Sequence, residues 1–348
     1  MCSQRDTMGP SSPLSFSVIT GQTIMRLIHE DIEGCMAVVR ECYLAHDQGR
    51  SINPPSFFLR FPDRPNSRII GLPTHLAKPW EISGIKWIAS YPDNVRHGYP
   101  RASAVLLLNS HENGYPFACL EASIISAART AASAALAADH LSHGKRSARS
   151  MGIVGTGLIA RYIYRFLLGT GWNISAVQLY DLVAEDATKF KTMVCKPDRH
   201  DHIMVAPDLA SLLKSCDLIL FTTTSARPYV DDPQLFAHNP IVLHISLRDL
   251  APQLLLLANN IVDDIDHVMN ADTSPHLTEK QVGNRDFVTG TLADMITGRC
   301  RLDDSRPTIF SPFGLGVLDL AVGKWVYDRA VAAGEHLSIE GFFCDLQR

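Results

Sequence analysis

No stretch of this 348-residue chain reaches the roughly eighteen apolar residues that a membrane-crossing helix needs, so an integral helical membrane protein is not expected. The N-terminal MCSQRDTMGPSSP lacks the basic-then-apolar order of a secretory signal, and its Ser, Pro and Gly content predicts a mobile leader. Cys-x-x-Cys spacing is missing too. The eight cysteines (Cys2, Cys35, Cys42, Cys119, Cys195, Cys216, Cys300 and Cys344) are scattered, which suggests neither a zinc knuckle nor a disulfide framework. None of the fourteen histidines stands at metal-ligand spacing, and His75, His97 and His111 read as surface or loop residues. Nor is there an excess of either charge. A net charge of −4 and a pI near 6.4 argue against a protein that coats nucleic acid or a membrane surface. A reduced, cytoplasmic protein without a metal is the expectation.

What is present is a chain long enough for two domains, with the 46% hydrophobic content of a globular protein. From Thr23 to about Ala45 apolar residues recur at helical spacing, with an interruption expected near Gly34. Residues 56 to 121 then read as strands: SFFLRF, SRIIGLP, EISGIKWIAS, ASAVLLLNS and PFACLEAS, separated by turn signals. Ser126 to His140 is dense in alanine and almost free of charge, which suits a helix buried between layers. From 150 to about 309, apolar strands (MGIVG, AVQLYD, LILFTTT, IVLHIS, NNIVDD) alternate with helices or loops, the pattern of a doubly wound parallel sheet. A last helix, from about Leu315 to Ala333, follows SPFG and is expected to return to the first domain.

The most informative segment is GIVGTGLIA, residues 152–160. An apolar strand runs into Gly155-x-Gly157-x-x-Ala160, and a second strand ends in Asp181 about twenty residues on. The first glycine permits a tight strand-to-helix turn, the second lets backbone approach a pyrophosphate, and the small third residue lets helix and strand pack closely. The phosphates then meet the free N–H groups of a helix N-terminus. A carboxylate at Asp181 accepts hydrogen bonds from ribose hydroxyls and repels a 2′-phosphate, so NAD is expected rather than NADP.

Three cations sit in apolar surroundings: Arg60 in FFLRF, Lys86 in SGIKWIA and Arg129 in IISAARTAA. Each needs an anionic partner, either an internal carboxylate or a ligand, and arginine's planar fork suits a carboxylate. Three in one domain beside a nucleotide unit favour a pocket for a polyanionic small molecule. Asp249, in HISLRDL, lies at the carboxyl end of a strand, where open α/β sheets bind ligands. It reads as an acid/base group or an anchor for a substrate amine, with a helix cap as the alternative. Thr222, Thr223 and Thr224 end another strand, at the cofactor or as a plain terminus.

ISGIKWIAS, the run ASAVLLLN…GYPFACLEASIISAARTAA, the GIVGTGLIA loop and TTT…ISLRD, in this order, resemble the ornithine cyclodeaminase/μ-crystallin family over roughly residues 20 to 335. SRIIGLPTH, EISGIKWI and LEASIIS-xx-RTAA are most similar to its branch of N-((2S)-2-amino-2-carboxyethyl)-L-glutamate dehydrogenases. That branch makes 2,3-diaminopropionate for siderophores and peptide antibiotics. Cyclodeaminases usually carry a DCPGKTE-like stretch where this chain has RDLAPQ. The resemblance implies an α/β fold with a Rossmann NAD-binding domain (130–312) inserted in a discontinuous substrate-binding and dimerisation domain (1–129 and 313–348), in a homodimer. It implies that Arg60, Lys86 and Arg129 hold substrate carboxylates, with Lys86 and Asp249 catalytic. Thr130, Gly155, Thr156, Gly157, Leu158, Ile159, Asp181, Thr222, Thr223, Thr224, Ser246 and Gly314 would line the cofactor. The implied reaction oxidises a secondary amine bearing three carboxylates at its glutamyl α-carbon, and water releases 2-oxoglutarate and 2,3-diaminopropionate. The alternatives are a cyclodeaminase or alanine/imine dehydrogenase, and a non-catalytic nucleotide-binding protein of the μ-crystallin kind.

Overall fold

Two eight-stranded sheets carry the chain, one mostly antiparallel and one wholly parallel, in a computed structural model that describes residues 14–344. The expected leader lies outside the described residues. The chain enters through β1 (Phe16–Ile19) and two helices, Gly21–Glu30 and Ile32–Asp47. The helical region breaks at Asp31, three residues before Gly34, near which an interruption was expected. Asp31 caps the second helix by accepting from the Gly34 N–H at 2.8 Å, and a Cβ at Gly34 would stand 2.3 Å from that carboxylate. The glycine is there to admit the cap.

Next come β2 (Ser51–Ile52), β3 (Phe57–Phe61), β4 (Arg64–Leu76), β5 (Ile82–Ser90), β6 (Ala102–Ser110) and β7 (Pro116–Glu121). β4 to β7 form an antiparallel meander, and β3 folds back on β4. The alanine-dense segment forms one unbroken helix, Ser123–Leu141, buried along most of its length. The expected domain change at 129/130 falls inside this helix; the passage from one sheet to the other is made between residues 121 and 147.

The second sheet contains β8 (Ser147–Val154), β9 (Asn173–Tyr180), β10 (His202–Val205), β11 (Leu218–Phe221), β12 (Ile241–His244), β13 (Asn259–Val262), β14 (Val288–Thr291) and β15 (Thr308–Ser311). Its order is β10-β9-β8-β11-β12-β15-β13-β14, with every pair parallel. Winding proceeds one way from β8 to β10 and the other way from β11. The crevice for a ligand therefore opens beyond the carboxyl ends of β8 and β11. Strands β10, β14 and β15 were not foreseen.

The helix Gly316–Ala332 then crosses the inner face of the first sheet, and β16 (Leu337–Ile339) pairs antiparallel with β1, closing that sheet from both chain ends. The helix packs closely because small residues meet the strands. A Cβ on Gly323 of the helix would lie 2.1 Å from Leu106, and one on Gly84 of β5 would lie 2.8 Å from Leu320 Cδ1 of the helix.

Overpacking a buried contact of this kind costs typically ~1–3 kcal/mol. Gly323→Val is expected to lower the urea midpoint by a corresponding amount; an unchanged midpoint would show that the helix does not bear on β6 this closely.

Candidate active site

Strand register decides which side chains share the inner face of the first sheet. Arg60 pairs with Arg68, Arg68 with Ser90, and Leu72 with Lys86, so Arg60, Arg68 and Lys86 project from the same side. Lys86 is almost wholly buried, and its Nζ donates to Asp319 Oδ2 at 2.6 Å, with Ser126 Oγ at 3.3 Å. Arg129 comes to the same carboxylate from the central helix, Nε to Oδ2 at 3.3 Å. This contact is an ion pair without a hydrogen bond, and Arg129 Nε and Asp319 Oδ1 are both buried with no hydrogen-bond partner. Two cations thus share one fully buried anion, leaving a net positive charge.

Burial pulls the Lys86 ammonium down to about 8, and Arg129 pushes the same way, both against the attraction of Asp319. For Asp319, burial disfavours the charge, but Arg129 and Lys86 outweigh it and hold the carboxyl below the usual carboxylate range. Sequence reasoning had the two cations and missed Asp319. The signal was available: a lone acid inside GVLDLAV is as costly as the lone lysine inside GIKWIA.

Arg60 is not part of this group. It lies exposed on β3, with its guanidinium over the Phe58 ring at 5.1 Å. Thr130 follows Arg129, half-buried, and its hydroxyl donates to the Ser126 carbonyl at 2.7 Å. Gly314 has φ +98°, and a Cβ there would stand 2.7 Å from Arg129 Nη1. Its N–H donates to Asp263 at 2.6 Å, and that of Phe313 donates at 3.0 Å. Asp263, a second residue not anticipated, thereby holds the SPFG turn against Arg129.

On the second sheet, Val154, Tyr180, Phe221 and His244 lie in register, so Gly155, Asp181 and Thr222 emerge together at the strand ends. Gly155 has φ +85°, and a Cβ there would touch the Thr222 backbone at 3.0 Å. Thr222 Oγ1 donates to the Gly155 carbonyl at 2.6 Å, joining the loops. Gly157 differs. Nothing lies within 4 Å of a Cβ there, and it opens the helix Leu158–Gly169 without a side-chain cap, leaving N–H groups free to face an anion. Leu158 is exposed, Ile159 half-buried, and Ala160 fully buried. Asp181 Oδ2 accepts from the Thr156 N–H and hydroxyl, each at 2.7 Å, while Oδ1 has only the Val183 N–H at 3.2 Å. A cavity of about 240 Å³ opens beside Thr156, Gly157 and Asp181. These features fit the diphosphate and ribose of a dinucleotide.

Asp249 follows β12 and is fully buried. Its Oδ1 accepts from the hydroxyls of Thr223 and Tyr229, the latter at 2.9 Å, and its Oδ2 faces His244 Nε2 at 3.2 Å. Burial opposes its ionisation, yet the hydrogen bond and charge of His244, with the bond from Thr223, bring the carboxyl down to about 2. Ser246 is buried with its hydroxyl unpartnered, and Thr224 is exposed. Tyr229 and His244 were missed. His244 sits in the apolar strand IVLHIS, a context that flags a buried polar partner.

A model of the ornithine cyclodeaminase/mu-crystallin family matches residues 18–334. An N-((2S)-2-amino-2-carboxyethyl)-L-glutamate dehydrogenase from Staphylococcus aureus is 28% identical over 299 residues, 83% of this chain and 88% of the relative. Among solved structures, the Thermococcus litoralis Δ1-pyrroline-2-carboxylate reductase in complex with NADH and L-proline superposes with a TM-score of 0.85. It is 22% identical and covers 93% of this chain and 100% of its own. An archaeal alanine dehydrogenase dimer with bound NAD gives 0.82 at 26% identity, over 94% of this chain and 100% of its own.

Breaking a buried ion pair by removing one partner costs about 3–5 kcal/mol, because the remaining charge stays desolvated. Asp319→Asn, leaving Lys86 and Arg129 uncompensated, is expected to lose stability on that scale in chemical denaturation. A loss below about 1 kcal/mol would show that the two cations do not depend on Asp319.

Proposed function

The chain belongs to the ornithine cyclodeaminase/mu-crystallin family, and from that premise we propose that it is an NAD-dependent oxidoreductase acting on the CH–NH group of an amino-acid-derived substrate with several carboxylates. Our preferred substrate is N-((2S)-2-amino-2-carboxyethyl)-L-glutamate, giving 2,3-diaminopropionate and 2-oxoglutarate for a siderophore or peptide antibiotic. The observation that carries this is the surplus cation at Asp319: Lys86 and Arg129 converge on one carboxylate and retain charge for another. NAD, when bound, supplies the acceptor of the hydride. Gly155, Gly157 and the free N–H groups of the following helix would hold its diphosphate, and Asp181 Oδ1 a ribose hydroxyl.

Lys86 and Arg129 would fix a substrate carboxylate and so orient the α-carbon. Asp249 would present a fixed negative charge. A carboxyl brought down to about 2 is ionised throughout the neutral range, which suits holding a protonated substrate amine better than delivering a proton. We assign it the amine, with His244, Thr223 and Tyr229 keeping its orientation. A homodimer is part of the proposal, supported by the exposed Trp87 and Val105 on the outer face of the first sheet, opposite each other on β5 and β6. The same arrangement would also admit a simple amino acid such as alanine, so substrate choice is decided by assay.

NADH formation at 340 nm, with carboxyethyl-glutamate and with alanine as substrates, tests the reading. Turnover of the former with release of 2-oxoglutarate is expected; turnover of alanine alone would overturn the preferred substrate. Gly157→Ala provides the matching check on the cofactor site, since its Cβ meets no protein atom. It is expected to fold with unchanged stability and to lose NAD affinity in calorimetry at least tenfold; unaltered affinity would place the diphosphate elsewhere.

The charge on Lys86 sets a pH dependence. Protonated below about 8 and neutral above it, Lys86 would hold a carboxylate only on the acid side. KM is therefore expected to rise as pH passes 8, and Lys86→Arg should remove that rise. A flat KM from pH 7 to 9.5 in the native enzyme would take Lys86 out of substrate binding.

A further inference from the structure

Beyond the buried Lys86 and Arg129, the inner face of the first sheet carries a second group of cations. Arg68 stands opposite Ser90 across β4 and β5, and Ser90 Oγ accepts from Arg101 Nη1 at 3.1 Å. Arg248 comes from the second sheet, one residue before Asp249, and is tethered by Nη2 to the Ala271 carbonyl at 2.8 Å. Burial lowers the Arg68 guanidinium below the ordinary arginine range, and the charges of Arg101, Arg60 and Arg248 add to it, so each of the three lies within electrostatic reach of Arg68.

Among the described residues, none of these four arginines makes an ion pair with a carboxylate. Asp272 feels Arg248 but is bound to Lys280 at 2.5 Å. The Nε atoms of both Arg68 and Arg248 are buried without a hydrogen-bond partner. Buried donors on gathered like charges are costly unless an anion supplies acceptors.

We propose that Arg68, Arg101 and Arg248 form a second anion subsite, apart from Lys86 and Arg129, which takes the distal carboxylate of a substrate bearing more than one. This rests on the reading of the site as one for an amino-acid-derived substrate, and it names the class: dicarboxylates and tricarboxylates over monocarboxylates. The spacing agrees. Leu72, opposite Lys86, is four residues from Arg68 along β4, about 13 Å at ~3.3 Å per residue. A backbone separation of that size, on one face of the sheet, is of the scale that a short dicarboxylate held by two long side chains requires. Arg248 joins the subsite to the cofactor crevice, since its neighbour Asp249 closes the end of β12.

The test is calorimetric binding of 2-oxoglutarate and of pyruvate to the protein with NADH, alongside KM for carboxyethyl-glutamate. A charge-assisted hydrogen bond contributes ~1.5–3 kcal/mol, or roughly 10- to 100-fold in affinity. The native protein is expected to bind 2-oxoglutarate at least about tenfold more tightly than pyruvate, and Arg68→Gln/Arg101→Gln should erase that preference while leaving pyruvate unchanged. Arg101→Gln alone, at an exposed position, covers the case in which the double variant fails to fold; it should lower the preference by a smaller factor. Equal binding of the two acids by the native protein, or equal losses for both in the variants, overturns the subsite. If carboxyethyl-glutamate is not turned over but the dicarboxylate preference is present and arginine-dependent, the substrate reading fails and the subsite stands. If carboxyethyl-glutamate is turned over with a KM that neither variant changes, the subsite fails and the substrate reading stands.

Discussion

Everything near the candidate site depends on one buried carboxylate. Asp319 on the last long helix is reached by Lys86 from β5 and by Arg129 from the central helix, so three segments distant in sequence meet at one oxygen. The burial of these ionisable groups is unfavourable on its own; their mutual attraction outweighs it for Asp319 but not for Lys86. Such an arrangement is therefore a poor means of gaining stability. In the proposed reading its value lies in what the pairing leaves over: a positive charge with little conformational freedom, fixed in a low-dielectric setting where it would act strongly on an incoming anion.

The second sheet provides the complementary part by backbone geometry instead of charge. The reversal of strand order between β8 and β11 opens the crevice, Gly155 turns the chain there, and Gly157 leaves open space above a helix N-terminus. Asp181 and Asp249, one at each of two strand ends, are then held by hydrogen bonds in different ways. Asp181 keeps an oxygen with a single long contact, which suits a ligand hydroxyl, whereas Asp249 is enclosed by Thr223, Tyr229 and His244.

Much of this was legible in the residues. GIVGTGLIA and the strand ending at Asp181 encode local geometry, where a few contiguous residues determine the turn, and the structure forms that strand, turn and helix. The apolar contexts of Lys86 and Arg129 correctly implied that both are buried beside an anion. What could not be read was the partner's identity, because Asp319 is more than two hundred residues from Lys86 and pairing at that separation depends on the tertiary fold. Arg60 shows the limit of the same rule. FFLRF has an apolar context as strong as that of Lys86, but β3 hangs on one neighbour at the sheet's edge, so its side chains remain exposed. Local apolarity reports burial only when the strand is covered on the face in question.

The two halves of the site must also be aligned with each other, and the structure supplies a connected path for this. Asp263, directly after β13, accepts the N–H groups of Phe313 and Gly314; Gly314 abuts the Arg129 guanidinium; Arg129 meets Asp319; and Asp319 holds Lys86 on the first sheet. The links are of different kinds, hydrogen bonds at Asp263 and Lys86, close packing at Gly314 and an ion pair at Arg129, so a displacement of the second sheet reaches the cation pair through backbone and charge rather than through a flexible linker. The unbroken helix Ser123–Leu141 reinforces the path, since Arg129 rides on it and it packs against elements of both sheets. For a reaction in which a substrate held by one sheet must face a cofactor held by the other, this is the constraint that matters. Small errors in relative position are costly to rate, and a rigid chain of hydrogen bonds and ion pairs limits them without contacting the reacting atoms.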